Sequence, residues 1–390
     1  MKVLHVISTL SASYGGPSSA TALMERVLIG RGIAVETATT DDDGPGRRKT
    51  VTTGAPLHIF KGAGTVRRYF PKRLEFYKVS PGFARWIFRH VRDYDLLHIH
   101  GLFNFTSVVA AWAAWRAGVP YVLRPYGTLN RYGVTQRRPW LKCWSLKLIE
   151  GPILRHAAAV HFTAEAEREE ASELGIPMRG VVIPLGIEPA PQGDASALLT
   201  QFPELNNCLI LLFLSRLDPK KNVEGLLQAF KLCSSALPDT RLVIAGEGEA
   251  GYVVGLKKLA DELGLAGRVV WPGYVEGEQK AAAFAAAQVF LLPSFSENFG
   301  IAAAEALMAG LPCVLGKGVA LADEVAQAGA GVATSPEPED IARALQDILA
   351  DENRRAEMGR RATALARERY SLEAMGASLE RLYADILGRG

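Results

Sequence analysis

The sequence predicts an α/β protein made of two doubly wound domains, each a parallel sheet covered by helices on both faces. The length of 390 residues suits two domains of ordinary size. In the first half, short apolar runs alternate with amphipathic stretches, and the second half restarts the same alternation. The composition, 48% apolar and 22% charged residues, is that of a globular protein.

The first half predicts one domain at residues 1–190. Its predicted strands are the apolar runs Val3–Ile7, Ala34–Ala38, Leu96–Ile99, Tyr121–Leu123, Ala159–Phe162 and Val181–Ile183. Its predicted helices are Ser18–Arg31, Pro81–Arg92, Phe105–Ala117 and Ala164–Leu174. The polar stretch Pro184–Asn207, with three prolines near its start, predicts a linker.

The second half predicts a domain at residues 191–370 and a last helix at 371–390 that packs back towards the first domain. Its predicted strands are Leu209–Leu214, Leu242–Ala245, Val269–Trp271, Val289–Leu292 and Cys313–Leu315. Its predicted helices are Val223–Ser235, Tyr252–Leu263, Glu278–Ala286, Ile301–Met308, Pro338–Leu349 and Glu352–Leu387, the last broken near Tyr370–Ser371. We expect the ligand cleft between the two domains, at the carboxyl ends of the strands.

Several classes of protein are disfavoured by simple counts. The four cysteines form neither a CxxC pair nor a set with histidine at ligand spacing, so we expect no zinc site and no disulfide framework. The opening MKVLHVISTL is interpreted as a buried strand rather than a signal peptide. No apolar stretch reaches the roughly 20 residues of a spanning helix. We therefore expect a cytoplasmic protein that is not integral to a membrane.

Positive charge is concentrated in the first half. Lys61–Arg92 holds nine Lys/Arg residues and one acid, Glu75, and Arg124–Lys147 holds six Lys/Arg and no acid. Aromatic residues interleave with the cations of Lys61–Arg92, a composition typical of contact with an anionic membrane surface. Two other interpretations are helices whose aromatic residues face the core and nucleic-acid binding; no recognised nucleic-acid motif is present, so we expect no nucleic-acid partner. We favour peripheral attachment to the inner face of the plasma membrane.

Two strand-to-helix loops in the second half carry the strongest signals. Ser215–Asn222 follows an apolar run and opens a helix, so its cations lie where free N–H groups already favour an anion. The alternative is a solvated loop. Ser294–Glu305 again leads from a strand into a helix, with Gly300 allowing close approach of the backbone to a ligand. Glu305 lies among Ala, Leu and Met, where an unpaired acid would be costly, which favours function over a surface position.

Together these two loops resemble the donor site of retaining GT-B glycosyltransferases of family four, the group 1 glycosyltransferases. The pattern is S-R-L-x-x-x-K-N, then E-x7-E with an F-G-I turn, then E-A-L-x-A-G-x-P at Glu305–Pro312. The resemblance implies that Arg216 and Lys221 bind the donor diphosphate, Glu305 the ribose hydroxyls and Glu297 the transferred sugar. It implies further backbone and loop contacts to the donor from Asn298, Phe299, Gly300, Ile301, Gly246, Gly248, Tyr274 and Val275.

The N-terminal half contributes further candidate site residues. Gly15 and Gly16 lie in a turn without G-x-G-x-x-G, which counts against a dinucleotide oxidoreductase. The family uses such a turn to contact donor phosphate or acceptor; the alternative is a plain strand–helix turn. His98 and His100 share one face of a strand end. His100 matches a histidine that contacts the transferred sugar in similar enzymes; the alternative is a core histidine.

The acceptor side is implied by Arg124–Leu129, which resembles a P-R-G-M-L-like motif of polysaccharide-assembling members. Arg124 and Tyr126 are its candidate acceptor-side residues, and Tyr126 stands where arginine or histidine is usual. The run Asp41–Asp43 resembles the metal-binding DxD of another glycosyltransferase fold, but it lies in a Gly/Pro loop, so we expect no metal. No covalent nucleophile stands out, and the family retains anomeric configuration, with front-face attack the usual proposal.

The expected function is transfer of a sugar from a nucleotide-diphosphate sugar to a glycan or lipid-linked acceptor in cell-surface polysaccharide synthesis. His100, Arg216, Lys221 and Glu297 are the candidate catalytic residues. The nucleotide sugar is a substrate, and no cofactor is expected. The alternatives are a non-catalytic nucleotide-binding or scaffold protein on the same fold, or a related epimerase or phosphorylase. A phosphorylase would require a lysine that carries pyridoxal phosphate.

Overall fold

The computed structural model describes residues 1–11, 16–44, 46–47, 58–62, 65–129, 140, 144–188 and 193–389, with the backbone alone at 58–62. Within this description the chain forms two compact units. Unit 1 comprises Met1–Gly186 together with Leu372–Gly390, and unit 2 comprises Ile187–Ser371. Gly15 lies outside the described residues.

Unit 1 is built on an eight-stranded sheet with helices on both faces. Its strands are β1 (Lys2–Ile7), β2 (Ala34–Thr40), β3 (His58–Gly62), β4 (Thr65–Phe70), β5 (Leu96–His100), β6 (Tyr121–Arg124), β7 (Ala159–Phe162) and β8 (Gly180–Val182). They lie in the order β3-β4-β2-β1-β5-β6-β7-β8. The β3–β4 pair is antiparallel, and the other neighbours run parallel. The prediction from sequence missed β3 and β4, because their alternation is masked by the cations of Lys61–Arg92.

The helices of unit 1 that precede unit 2 in the chain are α1 (Gly16–Gly30), α2 (Pro81–His90), α3 (Phe105–Ala117), α4 (Gly151–His156) and α5 (Glu165–Ser172). Short 3-10 turns lie at Phe76–Lys78 and Val91–Asp93, and a π-helical turn lies at Leu146–Glu150. Local caps explain two of these helices. The Ser80 side chain accepts a hydrogen bond from the Phe83 N–H at the start of α2, and the Asn104 side chain accepts one from the Ser107 N–H at the start of α3.

Unit 2 is built on a six-stranded parallel sheet. Its strands are β9 (Leu209–Leu214), β10 (Thr240–Ala245), β11 (Val269–Gly273), β12 (Val289–Leu292), β13 (Cys313–Gly316) and β14 (Gly331–Thr334). Its helices are α6 (Ser196–Gln201), α7 (Val223–Cys233), α8 (Ala250–Glu262), α9 (Gly277–Ala286), α10 (Ile301–Met308), α11 (Ala322–Gln327), α12 (Pro338–Leu349) and α13 (Glu352–Arg369). Short 3-10 turns lie at Pro203–Leu205 and Pro219–Lys221. The two-domain α/β prediction is thereby confirmed.

The stretch Pro184–Asn207 is not a simple linker, so that part of the prediction is wrong. It contains the helix α6 and the 3-10 turn Pro203–Leu205, and α6 packs against α9. Leu198 and Leu205 are buried there. Proline and glycine marked the beginning of the stretch, but the apolar residues that follow anchor the rest of it to unit 2.

Each sheet contains a point where the order of connection reverses. In unit 2 the order is β11-β10-β9-β12-β13-β14, so the chain moves outwards from β9 to β11 and then restarts on the other side of β9 with β12. In unit 1 the reversal lies between β1 and β5. Loops that leave the carboxyl ends of two such strands diverge and leave room for a ligand.

The last helix of the described chain, α14 (Leu372–Ile386), belongs to unit 1 and packs against α1. It contributes Met375, Leu379, Leu382 and Tyr383 to one apolar cluster of unit 1. The other cluster lies on the opposite face of the sheet, with residues of α2 and α3. Both faces of the unit 1 sheet are therefore covered by helices, as the predicted doubly wound fold requires.

Most cations of β4 and the loop that follows it are neutralised inside unit 1. Arg67 pairs with Glu25 at 2.5 Å and Arg68 with Glu36 at 2.7 Å. The buried Asp42 accepts bonds from Lys72, at 2.5 Å, and from Lys78. The carboxylate that resembled part of a DxD metal motif is therefore bonded to two ammonium groups.

Every described helix is too short or too polar to span a lipid bilayer.

Replacing Leu379 by alanine should destabilise unit 1 by about 2–5 kcal/mol, because this side chain is fully buried between α14 and the sheet. Five of the six tryptophans lie in unit 1, so urea unfolding followed by tryptophan fluorescence reports mainly on that unit. Glu373→Ala, at an exposed position of the same helix, is the matched control and should change stability by less than about 0.5 kcal/mol. Equal stabilities of the two variants would contradict the packing described for α14.

Candidate functional site

The loop after β9 presents a free cation at the reversal point of unit 2. The N–H of Ser215 donates to the Ala245 carbonyl at 3.1 Å, and that of Leu217 to the Glu247 carbonyl at 2.7 Å. These bonds extend the parallel pairing beyond the strands and hold Arg216 between two fixed residues. Among the described residues, the exposed Arg216 side chain has no ion-pair or hydrogen-bond partner. Its guanidinium is therefore available for an anion.

A single ion pair connects the loops that follow β9 and β12. Lys221 ends a 3-10 turn, and its ammonium contacts the Glu297 carboxylate. Both side chains are mostly buried, with exposed fractions of 12% and 24%. The Phe295 N–H donates to the Lys220 carbonyl at 2.9 Å, a second link between the same two loops. The structure thus brings together two site residues that the sequence placed 76 positions apart.

The backbone around Glu297 is fixed by the chain that follows β13. Its N–H donates to the Gly318 carbonyl at 2.8 Å, and its carbonyl accepts from the Ala320 N–H at 3.1 Å. A Cβ at Gly318 would lie 2.0 Å from the Phe295 carbonyl oxygen, so only glycine permits this approach. The Glu297 carboxylate consequently has a defined position before any ligand binds.

The turn before α10 fixes the position of the first backbone N–H groups of that helix. Gly300 has a φ of +92°, a left-handed conformation that favours glycine, and α10 begins at Ile301. Phe299 is buried against Tyr370, with ring centroids 5.8 Å apart, and anchors the turn. Asn298 is half-buried and Ile301 is exposed. The first N–H groups of α10 have no helical acceptor and suit an anion.

Glu305 has a partner that the sequence did not reveal. Its Oε1 accepts a hydrogen bond from the Lys280 Nζ at 2.8 Å, and 19% of the Glu305 side chain is exposed. Glu305 is therefore paired within the fold, and its position among apolar residues does not by itself require a ligand; its contact with the ribose stays a prediction. Lys280 lies on α9, and no local spacing in the sequence connects it to Glu305. The second carboxylate oxygen of Glu305 stays available for a ligand.

A cavity of about 470 Å³ opens where β9, β10 and β11 end. Its lining includes the candidate donor-site residues Arg216, Gly246, Gly248, Tyr274 and Val275. A Cβ at Gly246 would lie 1.9 Å from the Ser215 carbonyl oxygen, and one at Gly248 2.2 Å from that of Leu217. Both glycines are therefore required by close contact of two backbones. Tyr274 is 60% exposed at the same place.

Four buried histidines form a polar layer in unit 1. They are His5 on β1, His98 and His100 on β5, and His161 on β7. Strand alternation points them to the face covered by α1 and α14. His100 lies 3.2 Å from the His5 ring, His161 lies 3.3 Å from the His98 ring, and His98 lies 2.6 Å from the Tyr383 hydroxyl. These rings are joined in pairs and to α14, so His98 is a core histidine.

Both ring nitrogens of His100 have partners inside unit 1. Its Nε2 faces the Nδ1 of His5 at 3.2 Å, and its Nδ1 faces the Tyr126 hydroxyl at 3.2 Å. The side chain is 1% exposed. A sugar would have to displace Tyr126 or His5 to reach this imidazole. The proposed sugar contact of His100 therefore stays a prediction.

Arg124 is placed differently from what an acceptor-side residue needs. Its side chain is fully buried, and its guanidinium lies 4.5 Å from the centre of the Tyr126 ring. Tyr126 has a φ of +54°, and its hydroxyl is also 3.2 Å from the Thr21 hydroxyl on α1. Gly16, at the start of α1, is exposed. Arg124 and Tyr126 thus hold the end of β6 against α1 rather than presenting charge to solvent.

The charge of Arg124 acts on the histidine layer. Burial, with the Arg124 charge as a further cause, lowers the pKa of His5 to about 3. Burial likewise lowers the pKa of His98, His100 and His161 well below the ordinary value of 6.5. His5, His98 and His100 each offer a ring nitrogen within 4.8 Å of the others. The adjacent guanidinium makes this cluster a poor environment for a metal cation, because like charges repel.

Comparison with known proteins places the chain in a family. The family described as "Glycosyl transferases group 1" matches residues 200–365, and the one described as "Glycosyl transferase 4-like domain" matches residues 15–186. The chain belongs to the group 1 glycosyltransferases. The family and the enzyme class predicted from the two C-terminal loops are thereby confirmed.

Relatives with curated names are glycosyltransferases. The chain is 30% identical over 255 residues to the GDP-mannose-dependent alpha-(1-6)-phosphatidylinositol monomannoside mannosyltransferase of Mycolicibacterium smegmatis. That alignment covers 61% of the chain and 66% of the relative. It is 29% identical over 396 aligned positions to the D-inositol 3-phosphate glycosyltransferase of Segniliparus rotundus, covering 93% of the chain and 83% of the relative.

Solved structures share the fold over the full chain. Sucrose-phosphate synthase from Thermosynechococcus elongatus superposes with a TM-score of 0.75 at 20% identity and covers 100% of both chains. Anabaena HepE in complex with UDP superposes with a TM-score of 0.77 at 21% identity, covering 99% of this chain and 100% of that one. The GT-B architecture predicted from the sequence is therefore confirmed.

The histidine layer should make the stability of unit 1 fall as the pH falls below about 6.5. The folded-state pKa values lie below the unfolded value, so the unfolded chain takes up protons that the folded chain cannot, at up to about 1.4 kcal/mol per pH unit for each histidine. Glu150 offsets the contribution of about one histidine to this pH dependence. Burial raises the pKa of its carboxyl to about 7, so the folded protein takes up a proton there that the unfolded chain does not. Urea unfolding between pH 8 and pH 5 measures the slope.

His5→Gln should reduce that slope by the contribution of about one histidine, because it removes one of the groups that take up a proton only after unfolding. His156→Gln, at an exposed position, should leave the slope unchanged. A stability that is independent of pH in this range would show that the buried histidines take up protons in the folded protein and would contradict the electrostatic account.

Proposed function

We propose that the protein transfers a sugar from a nucleotide-diphosphate sugar to a glycan or lipid-linked acceptor, with retention of anomeric configuration and without a metal. One observation carries the proposal. The free guanidinium of Arg216, the Lys221–Glu297 ion pair and the N-terminus of α10 all follow β9 and β12, the adjacent strands at the reversal point of unit 2. Such a set suits a ligand with a diphosphate and a polyhydroxylated ring.

The diphosphate is proposed to bind Arg216 and Lys221. Arg216 has no carboxylate to displace among the described residues and provides bidentate N–H donors. An ammonium has three N–H donors, so Lys221 keeps its bond to Glu297 while it binds a phosphate oxygen. Glu297 thereby orients Lys221, and its own second oxygen accepts from a hydroxyl of the transferred sugar. The free N–H groups of α10 add to the positive potential at the same place.

Glu305 is proposed to accept hydrogen bonds from the ribose hydroxyls. Lys280 neutralises Glu305 and uses only Oε1, which leaves Oε2 for the ribose. The cavity lined by Gly246, Gly248, Tyr274 and Val275 then suits the base. The names of the relatives and neighbours include GDP-mannose and UDP, so both nucleotides need to be tested.

The chemical step follows from this charge distribution. The glycosidic C–O bond to the leaving phosphate breaks as the acceptor hydroxyl attacks the same face of the sugar, and the departing phosphate oxygen takes the acceptor proton. Arg216, Lys221 and the α10 N-terminus stabilise the negative charge that develops on the diphosphate. In this proposal the two cations perform the charge stabilisation that a metal would otherwise supply.

The acceptor is proposed to be a glycan or a lipid-linked glycan, with a role in cell-surface polysaccharide synthesis. The name of the Mycolicibacterium smegmatis relative specifies a phosphatidylinositol monomannoside, and that of the Segniliparus rotundus relative D-inositol 3-phosphate. A lipid-linked acceptor would place the enzyme at the inner face of the plasma membrane, as a peripheral protein.

Arg216→Ala and Lys221→Ala should each weaken binding of the cognate nucleoside diphosphate by about 10- to 150-fold, since a charge-assisted hydrogen bond contributes about 1.5–3 kcal/mol. Glu305→Ala should weaken binding of the nucleotide but should not weaken binding of inorganic diphosphate. Titration calorimetry with UDP, GDP and ADP measures these affinities. Lys231→Ala, at the far end of α7, is the matched control and should bind normally.

The outcomes of this titration separate the alternatives. Normal nucleotide affinity in both Arg216→Ala and Lys221→Ala would contradict the site. Nucleotide binding without hydrolysis or transfer from any nucleotide sugar in a panel would favour a non-catalytic protein on the same fold.

Turnover should be unchanged in EDTA, because Arg216 and Lys221 supply the positive charge, and the product should keep the anomeric configuration of the donor. The measurements are initial rates with and without EDTA and the anomeric proton coupling in the NMR spectrum of the product. Loss of turnover in EDTA that manganese or magnesium restores would contradict metal independence. An inverted product would exclude front-face attack.

A further inference from the structure

One face of unit 1 exposes large apolar side chains that nothing in the described structure covers. We define the aromatic face by Phe88 on α2, Trp112 and Trp115 on α3, and Trp144, Leu148 and Ile149 at the π-helical turn. Their exposed fractions run from 40% to 63%. A globular protein normally exposes such residues singly, and six in one area mark an interaction surface.

The elements that carry these side chains pack on one another. The helices α2 and α3 pack on each other, and the Phe88 ring meets the Trp112 ring edge to face, with centroids 5.4 Å apart. Trp115 lies three residues after Trp112, on the same side of α3. Its ring is 4.5 Å from that of His156 on α4, which directly follows the π-helical turn. The aromatic face therefore lies on elements that pack in series: α2 on α3, α3 on α4, and α4 on the π-helical turn.

The same elements carry exposed cations and almost no acid. The cations that flank the aromatic face are Arg85, Arg89, Arg92, Arg116, Lys147 and Arg155. In the part of the chain that the structure describes, none of them pairs with a carboxylate. The helices α2, α3 and α4 contain no acid. Of the two acids on the turns beside them, Asp93 is exposed and Glu150 is buried. By contrast, Arg67, Arg68, Lys72 and Lys78 are neutralised within unit 1.

The combination selects one kind of partner. We propose that the aromatic face binds an anionic lipid bilayer surface, with its tryptophan and aliphatic side chains at the headgroup–acyl boundary and its cations against lipid phosphates. Tryptophan suits that boundary because its ring is apolar and its N–H is polar. A second copy of the chain is a poorer occupant, because a twofold contact would bring six cations against six. The negative charge must therefore come from the partner.

This proposal rests on the proposed function for its purpose, since it would bring the enzyme to a lipid-linked acceptor. Binding itself does not depend on turnover. It also differs from the sequence-based expectation for Lys61–Arg92. The cations of that segment on β4 and the loop after it are largely neutralised. The part of the segment that we propose to bind lipid is α2, together with α3 and the π-helical turn.

The test uses the full chain with vesicles of equal parts phosphatidylcholine and phosphatidylglycerol, and with phosphatidylcholine alone, at about 50 mM salt. We expect at least tenfold stronger binding to the anionic vesicles. Arg85→Glu/Arg89→Glu should weaken it by at least about 30-fold, because the loss of each cation near an anionic surface costs about fivefold and the two new carboxylates add repulsion. Trp112→Ser/Trp115→Ser should also lose at least tenfold.

A charge-matched control is available in unit 2. Arg354→Glu/Arg367→Glu changes the net charge equally on the exposed side of α13 and should alter vesicle binding by less than twofold. Failure of the unaltered protein to bind anionic vesicles would overturn the proposal, as would an equal loss in the control pair. Self-association that Trp112→Ser/Trp115→Ser abolishes, with no vesicle binding, would assign the face to a second copy instead.

Nucleotide affinity keeps the two proposals separate. The aromatic-face variants should bind the cognate nucleoside diphosphate as tightly as the unaltered protein, which shows that unit 2 is folded, and urea unfolding followed by the fluorescence of the remaining tryptophans checks that unit 1 is folded. Loss of vesicle binding with normal nucleotide binding supports the assignment of this face. If the protein binds nucleotide but not vesicles, the proposal that the aromatic face binds a membrane is refuted, and the proposed donor site is unaffected.

Discussion

Parallel pairing of β9 with β12 is the constraint on which the candidate site depends. The two strands are distant in sequence but adjacent in the sheet, with Phe213 opposite Leu291. Adjacent strands that run parallel end at the same edge, so the loops after them must meet there. The Lys221–Glu297 contact and the Phe295–Lys220 backbone bond both follow from that adjacency. A shift of register would separate the cation from the carboxylate and leave each partly buried charge without a partner, which is costly.

Much of the fold was readable from the sequence because parallel strands buried on both faces are continuous apolar runs. Strands β9 and β12 and helices α10 and α12 have the predicted bounds. Strand β4 was missed because its cations hide the apolar pattern, and four cations of β4 and its following loop are satisfied by carboxylates from other elements. Strand β3, which was also missed, lies at the edge of the sheet. The charge pairs became visible only once the tertiary structure brought Glu25, Glu36 and Asp42 beside them.

Local sequence signals mark the candidate site residues, but they do not reveal the contacts that those residues make with distant parts of the chain. Glycines 246 and 248 and the turn at Gly300 carry local conformational signals, and close backbone contacts or a left-handed φ at those positions explain them. Lys280 reaches Glu305 from another helix, a tertiary contact that no local pattern encodes. Arg124 shows what a motif cannot reveal. The sequence predicts an acceptor-side role from a motif-like segment, but it does not predict that the guanidinium is buried beside the Tyr126 ring.

The chain enters unit 2 after Gly186 and leaves it after Ser371, so the segment that completes unit 1 is separated from the rest of that unit by all of unit 2. Protein synthesis proceeds from the N-terminus, and domains generally fold as units while the chain emerges. Unit 2 is continuous and can therefore fold on the ribosome before unit 1 has received α14. Until then the side of the unit 1 sheet that faces α14, including the apolar cluster around Leu96 and Val122, is covered by α1 alone. The order of translation thus leaves nascent unit 1 open to chaperones or aggregation for as long as unit 2 takes to be made.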